Sequence, residues 1–132
     1  MSFQAIKHVF VDSPLILLIE DNQVIIKLVS YKLKKIGYRF EHRDNGKDGL
    51  DAVKELRPDL LILDVMLPSM NGFEILRQIR ADEELKDTKV IMLTSKNRTE
   101  DLEKGFSMNV EDYMDKPFKP AELELRIKKV LN

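Results

Sequence analysis

The sequence predicts an α/β domain in which a parallel sheet carries helices on both faces. Two observations point there. Five short runs rich in Ile, Leu and Val recur along the chain, and the segments between them place apolar residues at helical spacing. Some of the runs are apolar throughout, as strands buried on both faces must be.

The first run is "LILLIE" at 15–20, followed by a segment in which Val24, Ile25, Leu28, Val29, Leu33 and Ile36 fall on one helical face and Gly37 caps the end. "YRFEH" at 38–42 is the second run, and Gly49–Leu56 reads as the helix after it. "LLILD" at 60–64 precedes a helix over Phe73–Ile79, and "VIMLT" at 90–94 precedes one over Thr99–Met108. The weaker run "DYMDK" at 112–116 leads into a helix over Ala121–Leu131, with Pro120 at its first turn. No repeat, low-complexity segment or linker follows residue 13. Residues 1–13 carry Ile6, Val9, Phe10 and Val11 without a pattern and are read as an N-terminal extension to one domain over 14–132.

Composition narrows the function classes. A chain of 132 residues suits one domain with a real core, and its longest apolar run is far too short for a bilayer. A net charge of -1 lacks the basic footprint of nucleic-acid binding, so no direct nucleic-acid contact is expected. There is no cysteine, which fits a reducing compartment, and "MSFQAIKHVFVDSP" lacks the apolar stretch of a signal peptide. A cytoplasmic location without membrane contact is the expectation.

The polar residues sharpen the reading. In "DLLILDVMLPSMNG", at 59–72, an apolar run that wants a dry interior stops on Asp64. Three of the other runs end on polar residues too: the first on Glu20 and Asp21, the fourth on Thr94 and Ser95, the fifth on Lys116. These are carboxyl ends of strands, the edge of an open parallel sheet where ligands bind. If the first and third runs are neighbours, three carboxylates converge, and each pair about 4 Å apart repels by roughly 4 kcal/mol at an effective dielectric near 20. Such a cluster needs a cation, and oxygen ligands that leave places for water suit Mg2+ and, with it, a phosphoryl group. A Lys for one phosphoryl oxygen and a Thr hydroxyl for another complete what stabilises phosphoryl transfer, and a carboxylate can be its covalent acceptor.

The ordered set of Glu20-Asp21, "LDVMLPSMNG" around Asp64, Thr94-Ser95 and "DYMDKPF" with Lys116 resembles the receiver domains of two-component response regulators, over residues 14 to about 131. The resemblance implies a flavodoxin-like, doubly wound, five-stranded parallel sheet of order 2-1-3-4-5, the order of chemotaxis receivers. It implies that Asp64 is phosphorylated by the phosphohistidine of a histidine kinase or phosphotransfer protein. Asp21, Asp64 and the backbone carbonyl of Met66 would bind Mg2+, with Glu20 acting through a water. Lys116 would pair with the phosphoryl oxygens and Thr94 would move toward them. Tyr113 would be the switching aromatic, Lys116-Pro117 a cis bond, and an output protein the reader of the switched surface. A receiver is a phosphoacceptor that catalyses its own phosphorylation and dephosphorylation, not an enzyme acting on another substrate.

The chain departs from the family pattern at Asn109 and Val110, where Gly and Ala are usual, and at Glu20, where Asp is commoner. Asn tolerates the left-handed turn a Gly would make, and Val110 adds bulk near Thr94. A flavodoxin would need a phosphate-cradling loop where this chain has "EDNQ", and an Asp-nucleophile phosphatase would need a second acid where it has Met66. A receiver cut from a longer regulator or hybrid kinase stays open, as does one used only for binding. The sequence also resembles the winged-helix regulators, whose receivers pair through their fourth helix, fifth strand and fifth helix. Asp112, Glu122 and Arg126 match charged positions of that interface. Glu103 and Glu124 stand at small aliphatic ones and Leu102 at a basic one, and like charges brought together by a two-fold axis favour a monomer.

Overall fold

A computed structural model describes residues 13–95 and 108–132. Five parallel strands form one sheet in the order β2-β1-β3-β4-β5: β1 Leu15–Ile19, β2 Arg39–Arg43, β3 Leu60–Asp64, β4 Lys89–Ser95 and β5 Asp112–Lys116. The helices among the described residues are α1 Gln23–Lys35, α2 Gly46–Leu56, α3 Gly72–Ala81 and α4 Pro120–Leu131. The helix expected over Thr99–Met108 lies, but for Met108, outside the described residues. So do Leu102, Glu103 and residues 1–12 of the expected extension.

Strand alternation divides the core in two. Leu17, Ile19, Leu61, Leu63, Val90 and Met92 point to the face covered by α2 and α3. Ile16, Leu18, Leu60, Ile62, Ile91, Leu93 and Met114 point to the face covered by α1 and α4. β3 is buried at all five positions, so an unbroken apolar run is what its environment selects.

The helix ends follow local chemistry. Asn22 caps α1 by accepting from the N–H groups of Val24 and Ile25, and α1 closes as Tyr38 N–H donates to Leu33 and Gly37 N–H to Lys34. Gly37 takes φ +96° there, which glycine adopts freely. Asn109 takes the left-handed turn expected of it, at φ +58°. Two expectations need correction. The buried face of α1 is Ile26, Val29 and Leu33, whereas Val24 is 74% exposed, so the expected stripe was out of phase at its start. Helix α2 begins at Gly46 under the cap of Asn45, a turn before Gly49, because the cap and not helix propensity sets that start.

Candidate functional site

Parallel register brings the carboxyl ends together. Ile19 of β1 is level with Leu63 of β3, so Glu20 and Asp64 leave the sheet side by side. Asp64 is in turn level with Leu93, one residue before Thr94, and Ser95 is level with Lys116. Glu20, Asp64 and Thr94 are the buried polar side chains among the described residues, while Asp21 is exposed at the rim.

The acids converge as expected. One carboxylate oxygen from each of Glu20, Asp21 and Asp64 lies within 4.8 Å of the others. Lys116 Nζ reaches into the cluster, 2.7 Å from Glu20 Oε1 and 3.0 Å from Asp64 Oδ1. Asn22 N–H donates to Glu20 Oε2 at 3.0 Å, and Met66 N–H approaches Asp64 Oδ1 at 3.4 Å. Three carboxylates against one ammonium leave a net negative cluster.

Electrostatics show an unfinished site. Burial raises the Glu20 carboxyl above its ordinary range; the Lys116 ammonium at 2.7 Å and the Asn22 N–H oppose this, and the Asp64 charge adds to it. Burial alone would depress Lys116, but the close carboxylates of Glu20 and Asp64 outweigh it and raise the ammonium. Lys116 therefore stays charged. Its contact with Glu20 Oε1 is close in charge without meeting hydrogen-bond geometry, and that oxygen is a buried acceptor with no hydrogen-bond partner. An all-oxygen donor set, excess negative charge and an unmet buried oxygen are what a hard divalent cation would satisfy.

Around the cluster, Lys116-Pro117 is cis, as expected. Tyr113 is buried with Met92 and Val110 in the core on the α2 and α3 side. Met66 is 61% exposed, two residues beyond Asp64. The side chain of Ser95 lies outside what is described.

Glu124 is not where it was expected. Arg126 pairs with Asp112 at 2.8 Å and with Glu122 at 3.1 Å, on one flank of α4. Glu124 lies on the other flank, paired with Lys32 of α1 at 2.7 Å and with Lys128 at 2.6 Å. At 3.6 residues per turn, positions 122 and 126 share a side that 124 cannot. The residue that does lie with Asp112, Glu122, Arg126 and Lys129 is Leu125, which is 71% exposed. The charge argument against pairing thus fails for Glu124. Sequence reasoning missed Leu125, although helical phase counted from Arg126 marks it.

Comparison with known proteins gives a consistent family. The model of the response regulator receiver domain matches residues 16–128. The transcriptional regulatory protein AfsQ1 of Streptomyces coelicolor is 40% identical over 118 residues, 89% of this chain and 51% of that protein. The chain thus spans about half the length of the curated relatives it matches. The chemotaxis response regulator CheY4 of Vibrio cholerae superposes with a TM-score of 0.84 at 30% identity, covering 90% of this chain and 99% of that one. The receiver domain of the sensor histidine kinase PA1611 of Pseudomonas aeruginosa, solved with a magnesium ion in its active-site cleft, superposes at 0.81 with 31% identity, covering 90% and 98%.

Proposed function

This chain belongs to the response regulator receiver domain family of two-component systems, and from that premise we propose that Asp64 accepts a phosphoryl group from the phosphohistidine of a histidine kinase or phosphotransfer protein. The observation that carries the reading is Lys116 Nζ at 3.0 Å from Asp64 Oδ1 inside a cluster of three carboxylates. In the transfer, the bond from phosphorus to the imidazole nitrogen breaks as one to an Asp64 carboxylate oxygen forms. Asp21, Asp64 and the Met66 carbonyl would hold Mg2+, with Glu20 acting through water, and the chemistry so supplied is neutralisation of the acids and of the incoming phosphoryl oxygens.

The chain's own residues do the rest in this reading. Lys116, kept protonated by its acidic neighbours, exchanges part of its contact with Asp64 for a phosphoryl oxygen. Thr94, buried one residue past the level of Asp64, offers its hydroxyl to another. Tyr113 shares the core beneath Thr94's strand and carries the change to a surface that an output partner reads. Hydrolysis by the receiver itself returns Asp64 to the free acid. No helix among the described residues is long and apolar enough to cross a membrane, and the cytoplasm is the proposed location. No nucleic-acid contact is proposed for the receiver fold itself, and the transcriptional role named for AfsQ1 belongs to a protein about twice the matched length.

Beryllium fluoride, a phosphoryl mimic, tests the assignment in amide NMR spectra. With Mg2+ present, shifts at Thr94 and Tyr113 are expected, and they should vanish in Asp64→Asn. Shifts that persist in the variant, or their absence in the parent, would refute it.

A further inference from the structure

We infer that the first turn of α2, through Gly46 and the N–H of Lys47, is a positioning brace for the loop that carries the Met66 carbonyl; the inference rests on the metal site proposed above. A carbonyl ligand has no side chain to aim it, so its place is set wholly by the backbone around it. The loop from Val65 to Asn71 is anchored in two places, at its base and farther along, and where it begins Val65 N–H also donates to the Leu93 carbonyl at 3.0 Å. At its base, Gly72 N–H donates to the Val65 carbonyl at 2.8 Å, and a Cβ on Gly72 would stand 2.3 Å from the Asp64 carbonyl oxygen.

The second anchor comes from outside the loop. Gly46 N–H donates to the Pro68 carbonyl at 3.0 Å, and Lys47 N–H donates to Ser69 Oγ at 3.2 Å. Ser69 holds a left-handed backbone, φ +66°, in making that contact. Gly46 is buried, and a Cβ there would fall 2.0 Å from the Met70 carbonyl oxygen. No side chain fits that space. Because Leu50 and Val53 seat α2 in the core, the loop is what must yield to a larger residue. Orphan N–H groups at a helix start are thus spent on the loop that follows Asp64. The brace touches neither the metal nor the phosphoryl group, and acts by holding residues 66–70 in place.

Titration calorimetry with magnesium chloride tests this on the full chain. Gly46→Ala is expected to bind Mg2+ about tenfold more weakly, as loss of an outer-shell support does, and Ser69→Ala about threefold more weakly. Labelling of Asp64 by a small phosphodonor should half-saturate at correspondingly higher Mg2+ in Gly46→Ala and still reach the parent rate at saturation. A variant merely damaged in its fold would not recover in that way. A folded Gly46→Ala with parental affinity, or one whose saturated rate stays low, overturns the brace. If Gly46→Ala does not fold, Ser69→Ala decides alone, and parental affinity there overturns it. A parent protein that takes up no Mg2+ overturns the site itself; a parent that binds beside variants that bind equally well overturns only the brace.

Discussion

Lys116 and Arg80 are both mostly buried cations, with 20% and 16% of their side chains exposed, and they sit at opposite ends of the sheet. Lys116, at the carboxyl ends, is held by carboxylates. Arg80, at the amino ends, donates to the backbone carbonyls of Met108, Lys86, Thr88 and Asn109 at 2.7 to 3.0 Å, with Glu111 4.0 Å away. Burial depresses the Arg80 guanidinium, and the charges of Glu111 and Asp87 offset this only in part. At Lys116 the partners' charges win over burial. Neutral carbonyls make a finished joint between α3, β4 and the lead-in to β5. Carboxylates make a joint with surplus charge, which a metal ion and a phosphoryl group can rearrange. In the proposed reading, one end of the sheet is built for stability and the other for exchange.

The largest effect expected from this contrast is at the finished end. Arg80→Ala strands carbonyls that a fork-shaped donor had satisfied, and should cost about 3 kcal/mol of stability. Urea unfolding would measure it, and a loss below about 1 kcal/mol would break the comparison. Arg80→Lys should recover only part, since an ammonium cannot reproduce the fork.

At the exchangeable end, Mg2+ at one hundred times its dissociation constant should add about 2.7 kcal/mol. Asp64→Asn should lose most of that gain, while Arg80→Ala should keep it in full, because separated sites with no shared partner add. A reduced gain in Arg80→Ala would mean that the two ends are coupled.

At the same end, Met66 is an exposed apolar side chain two residues beyond Asp64, and in the proposed reading an amide there would orient a hydrolytic water. Met66→Asn is therefore expected to shed its phosphoryl group roughly fivefold faster, about 1 kcal/mol of barrier. An equal or slower decay would remove Met66 as the gate.

The smallest effect lies at neither end. Hydrogen bonds from Lys128 and Lys32 hold the Glu124 carboxyl down at about 2, against an ordinary 4.5. A depressed carboxylate stabilises the fold above its unfolded value, so this contribution is present above about pH 4.5 and fades as pH falls toward 2. Glu124→Gln should make the acid limb of stability slightly shallower, and the difference should shrink in salt because the pair is partly exposed. An unchanged limb at low salt would show the pair to be idle.

What the sequence disclosed divides along the same line. Glu20, Asp21, Asp64 and Lys116 were legible because a charge at the end of an apolar run is anomalous, and three runs ending so at one edge of the sheet make a pattern. Strand β3 was legible because burial on both faces leaves no polar position. Arg80 went unnoticed because its partners are backbone carbonyls, which have no residue signature. The contacts of Gly46 and Ser69 were hidden for the same reason. Val24 was misplaced by helical phase, which drifts when it is counted from an uncertain start, and Glu124 by matching positions to the winged-helix regulators, where helical phase would have set it apart from Glu122 and Arg126. Side-chain chemistry could be read along the chain, and main-chain chemistry had to be seen.

We propose that the carboxyl end of the sheet is a phosphoacceptor site that works only with its cation. Intact-mass spectrometry after incubation with a small phosphodonor tests it most directly. One added phosphoryl group with Mg2+, none in chelator and none in Asp64→Ala is the predicted result. Equal labelling in chelator, or a labelled Asp64→Ala protein, would contradict it.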